Sequence, residues 1–96
     1  MKNLLIIGAG GHGKVCAEIA ENMNKWKKIY FIDDNLKGFV NDFEIKGTIS
    51  NLNDFDSRFY DVFVAIGDNK LRMKISNEVK KQKFNLVSLI SPRAII

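Results

Sequence analysis

The sequence has few of the residues that build disulfides and metal centres. Its 96 residues include one cysteine, Cys16, and one histidine, His12. A single cysteine cannot form an internal disulfide, and one Cys with one His falls short of the four ligands of a structural zinc site. We therefore predict neither a disulfide framework nor a metal site.

Long hydrophobic runs are also missing. The apolar runs, such as Leu4 to Ile7, are only a few residues long, whereas a membrane-spanning helix needs about 20 apolar residues. Met1 to Asn3 lead into no hydrophobic segment of signal-peptide length. These features predict a cytoplasmic protein that does not insert into membranes. A single proline and a hydrophobic content of 46% indicate one small globular domain.

The net charge is +4, and the excess of basic over acidic residues is concentrated late in the chain, between Lys70 and Lys83. Nucleic-acid-binding proteins usually cluster such charge beside a recognisable module or stacking aromatic residues, and no such module is present. The basic segment is therefore interpreted as the solvated face of a helix, and no nucleic-acid partner is expected.

Apolar residues recur with two periods. Continuous β-rich runs predict buried strands at Leu4 to Ile7, Ile29 to Ile32, Asp61 to Ile66 and Leu86 to Ile90. Spacings of three and four predict an amphipathic helix over 14–23, with Val15 on its inner face, and a second helix buried through Leu71, Ile75 and Val79. Strands that alternate with helices predict a Rossmann-like α/β domain of three layers with a mostly parallel sheet.

The middle of the chain is less periodic. Residues 43–45 alternate as a short strand would, and Ser50 is placed to cap a helical turn over 51–55. Trp26 follows the first helix, where we expect it to be buried against the edge of the sheet.

A glycine motif joins the first strand to the first helix. Gly8-Ala9-Gly10-Gly11-His12-Gly13 fits the pattern G-x-G-x-x-G in the strand and helix context that gives this pattern meaning. Gly8 permits the sharp turn, Gly10 lets a phosphate approach the backbone, and Gly13 lets the helix lie close to the strand. The alternative is a tight turn that binds nothing.

Two acids follow the second strand. Asp33 lies 20 positions beyond Gly13, the spacing at which dinucleotide-binding domains place a ribose-binding acid. Asp34 adds a second carboxylate for a nucleobase or sugar edge, and the alternative is an ordinary Asp-Asp-Asn turn. Since ligands bind at the carboxyl ends of parallel strands, these acids, the glycine motif and Gly67 are expected on one rim of the sheet.

His12 is the residue that most invites a catalytic role, but no Ser, Cys or carboxylate stands in a motif-defined relation to it. We predict instead that it contacts a ligand phosphate or sugar. Cys16 falls on the inner face of the first helix and is interpreted as a small core residue.

Three sequence blocks carry a family resemblance: LLIIGAGGHGKV from Leu4, FIDDN from Phe31 and VAIGDNKLR from Val64. They resemble the N-terminal domain of the bacterial sugar acyltransferases that include sialic acid O-acetyltransferases and the UDP-4-amino-sugar N-acetyltransferases of the bacillosamine pathway. The resemblance implies a domain that binds a UDP-sugar. Its substrate-binding residues would be Gly10, Gly11, His12, Asp33, Asp34 and Gly67, with Gly8 and Gly13 shaping the phosphate loop.

The resemblance also implies a domain organisation. Residues 1–90 would form the nucleotide-sugar-binding domain, and residues 91–96 would begin a left-handed β-helix that binds acetyl-CoA. In that case no catalytic residue lies in this chain. The full-length protein is expected to be a homotrimer, and the 96-residue chain a monomer without transferase activity.

Two other classes of function stay open at this point. Gly8, Gly10, Gly13 and Ala17 also satisfy the longer dinucleotide pattern, so the chain could be the NAD-binding half of an oxidoreductase. A non-catalytic nucleotide-sensing module is the third hypothesis.

Overall fold

The structure, a computed structural model, describes residues 1–89. Its elements in chain order are β1 (Asn3–Ile7), α1 (Gly11–Asn22), β2 (Ile29–Ile32), β3 (Phe39–Val40), β4 (Phe43–Gly47), a 3-10 helix η1 (Ile49–Asp54), β5 (Tyr60–Val64), α2 (Asn69–Lys81) and β6 (Asn85–Leu86). The last strand is shorter than predicted, since its pairing ends at Leu86. The predicted start of a β-helix at 91–96 lies outside the described residues.

The strands form one sheet in the order β3-β4-β2-β1-β5-β6. Each neighbouring pair is parallel except β3 and β4, which are antiparallel. The strand β1 is central, and its side chains alternate between the two faces: Leu4 and Ile6 pack with α1, and Leu5 and Ile7 pack with α2 and η1. The predicted Rossmann-like α/β fold of three layers is confirmed.

The helix α1 meets the sheet through small residues. Gly13, Cys16, Ala17 and Ala20 are its buried positions, so the helix lies close to β1 and the predicted core position of Cys16 is confirmed. Val15, predicted to face inward, is 52% exposed. A helical spacing of three and four defines a wide stripe, and Val15 lies at the edge of that stripe, away from the residues that are buried against the sheet.

The helix α2 is buried through Ile75 and Val79, as predicted, whereas Leu71 is 46% exposed. Leu71 lies in the first turn of α2, at the carboxyl edge of the sheet, where no strand covers it. This part of the prediction was wrong, and the position of Leu71 matters for the site described below.

The segment between β2 and β5 departs most from expectation. The strand β3 was not predicted, because two residues are too few to show a period. Thr48, not Ser50, is the N-cap of the 3-10 helix: the Thr48 N–H donates to Asn51 Oδ1 at 2.9 Å. The helix therefore begins two residues earlier than expected, at Ile49.

A buried carboxylate lies near the amino edge of the sheet. Asp61 in β5 is 7% exposed, and its Oδ2 accepts a hydrogen bond from the indole N–H of Trp26 at 2.9 Å. Lys2 Nζ and Asn85 Nδ2 approach Asp61 Oδ1 at 3.3 and 3.5 Å. The predicted burial of Trp26 is confirmed at 7% exposure, and its polar partner is a residue that sequence analysis had placed only as part of a strand.

Within residues 1–89 no helix combines the length and the apolar character that crossing a membrane requires. The same residues contain no group of three His, Cys, Asp or Glu side chains arranged to hold a metal ion.

Candidate functional site

The carboxyl end of β1 is the point where the sheet changes direction of winding. The chain leaves β1 through α1 on one face, and it leaves β5, the neighbour on the other side, through α2 on the opposite face. Open α/β sheets bind ligands in the crevice at such a switch point. The glycine motif begins in that crevice, directly after Ile7.

Two glycines of the motif are required by the backbone. Gly8 has φ +107°, and a Cβ there would lie 2.7 Å from the carbonyl oxygen of Ala65. A Cβ on Gly13 would overlap the carbonyl oxygen of Gly8 and approach the ring of Phe31. The first turn of α1 is therefore pressed against the loop that precedes it, as the sequence motif predicts for Gly13.

Three other glycines at this edge border open space among the described residues. A Cβ on Gly10, Gly11 or Gly67 would meet no atom within 4 Å. Gly10 is the N-cap of α1, no side chain caps the helix, and its first turn holds no acid. The first internal bond of the helix runs from the Lys14 N–H to the Gly10 carbonyl at 3.0 Å, so the preceding N–H groups face outward.

Asp33 organises the loops around it. Its Oδ2 accepts a hydrogen bond from the Ala9 N–H at 2.8 Å, and its Oδ1 accepts from the N–H groups of Asn35 and Leu36, each at 2.8 Å. Partial burial opposes ionisation, but the bonds from Ala9, Leu36 and Asn35 outweigh it and hold the pKa of Asp33 below its ordinary value of 3.8. Asp33 is thus a carboxylate that ties the end of β2 to the glycine loop.

Asp34 is exposed, and its carboxylate accepts one hydrogen bond from a backbone N–H group. Its Oδ1 accepts from the N–H of Ile49 at 2.9 Å, which fastens the first residue of η1 beside the end of β2. No other hydrogen bond to its carboxylate is formed by the residues that the structure describes.

A cavity of about 210 Å³ lies between these loops. Its walls combine aliphatic and polar residues: Ile7, Gly8, Ile32, Asp33, Asp34, Asn35, Ile49, Ile66 and Leu71. Sequence analysis identified three of these residues, Gly8 and the two acids. The rest were missed: Leu71 has the spacing of a core residue, and nothing in the sequence connects Ile49 with this edge.

The remaining predicted site residues lie outside the cavity wall. Gly10, Gly11 and His12 are exposed at the start of α1, and Gly67 is exposed after β5. They share the carboxyl edge of the sheet with the cavity, so the structure brings the two groups to one rim but not into one pocket.

His12 has a sulfur neighbour. Its Nε2 lies 3.7 Å from the Sγ of Cys16, one helical turn away. Burial raises the pKa of the Cys16 thiol, so at neutral pH this thiol is protonated and unreactive.

The structure has two further cavities. One of about 270 Å³ shares Asp33 and is lined also by Leu36, Lys37, Ile45, Lys46, Gly47 and Thr48. A larger one of about 340 Å³ lies at the amino edge, between the start of β2 and the hairpin of β3 and β4. No glycine loop or helix N-terminus borders the larger cavity, so its size alone does not make it the better candidate.

The mostly parallel sheet and its flanking helices define a Rossmann-like α/β domain, with the glycine loop and the start of α1 at its carboxyl edge. Residues 3–79 match the model of the PglD N-terminal domain family. The chain belongs to that family, and the predicted resemblance is confirmed.

Relatives with known names support this placement. The chain is 30% identical to UDP-N-acetylbacillosamine N-acetyltransferase of Bacillus subtilis over an alignment of 99 positions that covers 100% of this chain and 46% of the relative. The acetyltransferase domain of PglB from Neisseria gonorrhoeae, solved with acetyl coenzyme A, is 41% identical with a TM-score of 0.92, over 95% of this chain and 44% of that one.

A third relative was solved with both a coenzyme and a sugar nucleotide. It is a mutant perosamine N-acetyltransferase from Caulobacter crescentus in complex with CoA and GDP-perosamine, 30% identical with a TM-score of 0.85, over 96% of this chain and 44% of that one. The chain thus spans less than half the length of these relatives. A Rex-family repressor, 20% identical with a TM-score of 0.71, shares the fold alone.

Proposed function

We propose that this chain is the nucleotide-sugar-binding domain of an acetyl-CoA-dependent sugar acetyltransferase. The observation that carries the proposal is the uncapped N-terminus of α1 behind the open positions Gly10 and Gly11, in a chain of the PglD N-terminal domain family. The ligand we assign is a UDP-sugar.

The diphosphate would bind at the start of α1. The first N–H groups of α1 have no partner within the helix, and the helix dipole favours negative charge at this end. Because Gly10 and Gly11 carry no side chains, phosphate oxygens can reach the backbone. The exposed His12 ring would contact the phosphate or the sugar, and Gly67 would border the ligand from the end of β5.

The nucleoside would occupy the cavity beside the acids. Its aliphatic wall, which includes Ile49, Ile66 and Leu71, suits the apolar face of a base, and the acids offer acceptors to base or ribose donors. The relatives' names include both UDP and GDP sugars. We favour uridine because a cavity of about 210 Å³ is small for a ligand site, and a pyrimidine needs less room than a purine.

The domain would act by positioning. Holding an acceptor amine or hydroxyl in line with an acyl donor can remove several kcal/mol of activation barrier. The residues that bind acetyl-CoA and move the acceptor proton would lie in the remainder of the intact protein, which we expect to assemble as a homotrimer.

A competition titration tests this function. Backbone amide shifts of the 96-residue chain are followed as UDP-sugar, GDP-sugar and NADH are added separately and then at equal concentration. We expect the UDP-sugar to bind best and to shift the amides of the glycine loop, with an affinity near millimolar, or about −4 kcal/mol. Preferential binding of NADH would favour the oxidoreductase hypothesis and defeat this one.

A matched pair of variants locates the ligand. Gly10→Val puts a branched side chain where the phosphate would approach, in space that holds no other atom within 4 Å, so binding should be lost while the domain stays folded. Phe59→Val changes an exposed side chain at the opposite edge of the sheet and should leave binding unchanged. Equal affinities for the two variants would contradict the assignment.

A further inference from the structure

We propose that the two adjacent acids have separate roles: Asp33 is a positioning residue that holds the glycine loop, and Asp34 presents its carboxylate to the ligand. The role of Asp33 stands on hydrogen bonds of the ligand-free protein. The role of Asp34 rests on the proposed function, since it requires a nucleoside in the cavity.

Hydrogen-bond capacity separates the two residues. A carboxylate offers about four acceptor positions on its two oxygens. In Asp33, Oδ1 is filled by the N–H groups of Asn35 and Leu36, and Oδ2 receives the N–H of Ala9. One position remains, so Asp33 cannot accept from two ribose hydroxyls while these bonds persist.

Asp34, in contrast, has most of its acceptor positions available. One of its acceptor positions is used, by the N–H of Ile49, and Oδ2 receives no hydrogen bond from the described residues. The side chain is exposed and lines the cavity. The acceptor capacity available to a ligand is therefore concentrated on the second acid, not on the one at the dinucleotide spacing.

The bond from Ala9 gives Asp33 its influence on the phosphate end. Ala9 is fully buried and directly precedes Gly10 and Gly11. A buried N–H without an acceptor is costly, so removal of the carboxylate should loosen the loop rather than leave it in place. Asp33 would thereby determine where the outward N–H groups of α1 lie.

Amide exchange in the ligand-free chain tests the first half. Asp33→Ala should accelerate exchange at Ala9 on the order of tenfold and leave Ile49 unchanged, and Asp34→Ala should accelerate Ile49 and leave Ala9 unchanged. A general loss of stability would accelerate both amides in both variants and would overturn the proposal. Asp33→Asn, which keeps one acceptor oxygen, serves the same test if Asp33→Ala does not fold.

Two probes of different size test the second half. Pyrophosphate reports on the glycine loop alone, and UDP adds the nucleoside. Asp33→Ala should weaken both probes by similar factors, whereas Asp34→Ala should weaken UDP on the order of tenfold and leave pyrophosphate unchanged. Loss of UDP binding with intact pyrophosphate binding in Asp33→Ala would overturn the division of roles.

Failure of the proposed function can be distinguished from failure of the role of Asp33. If the unaltered chain bound neither UDP nor a UDP-sugar, the proposed function and the role of Asp34 would both fail. The exchange pattern at Ala9 and Ile49 would still decide the role of Asp33.

Discussion

Each edge of the sheet contains a carboxylate that is held by hydrogen bonds, and the two carboxylates differ in the kind of hydrogen-bond partner. At the carboxyl edge, Asp33 accepts hydrogen bonds from three backbone N–H groups. At the amino edge, Asp61 faces side chains from distant parts of the chain, Lys2, Trp26 and Asn85. Bonds to backbone N–H groups fix the path of the loops, whereas bonds to side chains hold Lys2, Trp26 and Asn85 around a buried carboxylate.

The glycines of the carboxyl edge also differ from one another in their surroundings. At the carboxyl edge, Gly8 and Gly13 are held by backbone contacts, and beside them Gly10 and Gly11 border open space. One short segment thus combines positions that tolerate no side chain with positions that would accept one freely. This combination is what a loop needs in order to keep its shape and still admit a ligand.

The largest effect should come from filling the contact behind Gly13. Gly13→Ala places a methyl group against the Gly8 carbonyl, which the backbone of α1 can relieve only by moving away from the sheet. We expect a loss of about 3 kcal/mol in the free energy of unfolding, measured by urea denaturation.

Gly11→Ala is the matched control, because it adds the same methyl group two residues earlier in the same helix, where no atom lies within 4 Å. Alanine favours helices over glycine by up to about 1 kcal/mol, so stability should stay equal or rise. Equal losses for the two substitutions would mean that the loop is not packed as described.

The next effect concerns the amino edge. Asp61→Ala leaves the buried indole N–H of Trp26 without its 2.9 Å acceptor, so we expect a loss of about 2 to 3 kcal/mol in a urea titration. Asp61→Asn keeps an acceptor oxygen and should lose less. Neither change should alter UDP-sugar affinity, and a loss of affinity would show that the two edges are coupled.

Acid should destabilise the fold at the carboxyl edge of the sheet by protonating Asp33. Because the pKa of Asp33 in the folded protein lies below its ordinary value of 3.8, its carboxylate stabilises the fold fully above about pH 3.8. That contribution is lost as the pH falls through the folded pKa.

The measurement is the difference in unfolding free energy between the original chain and Asp33→Asn from pH 6 down to about pH 2. The difference should shrink below about pH 3.8. Asp56, whose pKa is lowered to about 2 mainly by its hydrogen bonds with the Arg58 side chain, titrates in both chains and cancels. A difference that does not change with pH would contradict the role of the Asp33 charge.

The smallest effect on stability should come from Leu71→Ala. Leu71 is 46% exposed at the cavity, so its truncation should change the free energy of unfolding by less than about 1 kcal/mol but weaken UDP binding in calorimetry. Ile75→Ala, one turn later and 5% exposed, should cost about 2 to 4 kcal/mol. If Leu71→Ala destabilised as much, Leu71 would be a core residue after all.

The fold was predictable because its main signals are local. Continuous aliphatic runs such as Leu4 to Ile7 need no partner to be interpreted, and the glycine motif carries its own strand and helix context. The two-residue strand β3 had no such signal, because it forms by pairing with β4 and not by its own pattern.

The site was only partly predictable. Gly8 and Asp33 were predicted from the motif and its spacing and Asp34 as the adjacent acid, and the structure places all three in the cavity wall. Spacing could not show that the Asp33 carboxylate is largely occupied by backbone N–H groups, because the bond from Ala9 spans 24 positions. It also could not separate Leu71 from Ile75, since both lie on one helical stripe and differ only in what the sheet covers.

The position of Trp26 gives the chain a built-in optical reporter. It is the single tryptophan, it is 7% exposed, and its indole N–H is bound to Asp61 at the edge opposite the cavity. Its fluorescence should therefore follow unfolding of the whole domain and stay silent when a nucleotide binds. The fluorescence of Trp26 can then be used to measure folding without a contribution from ligand binding, and no label is needed.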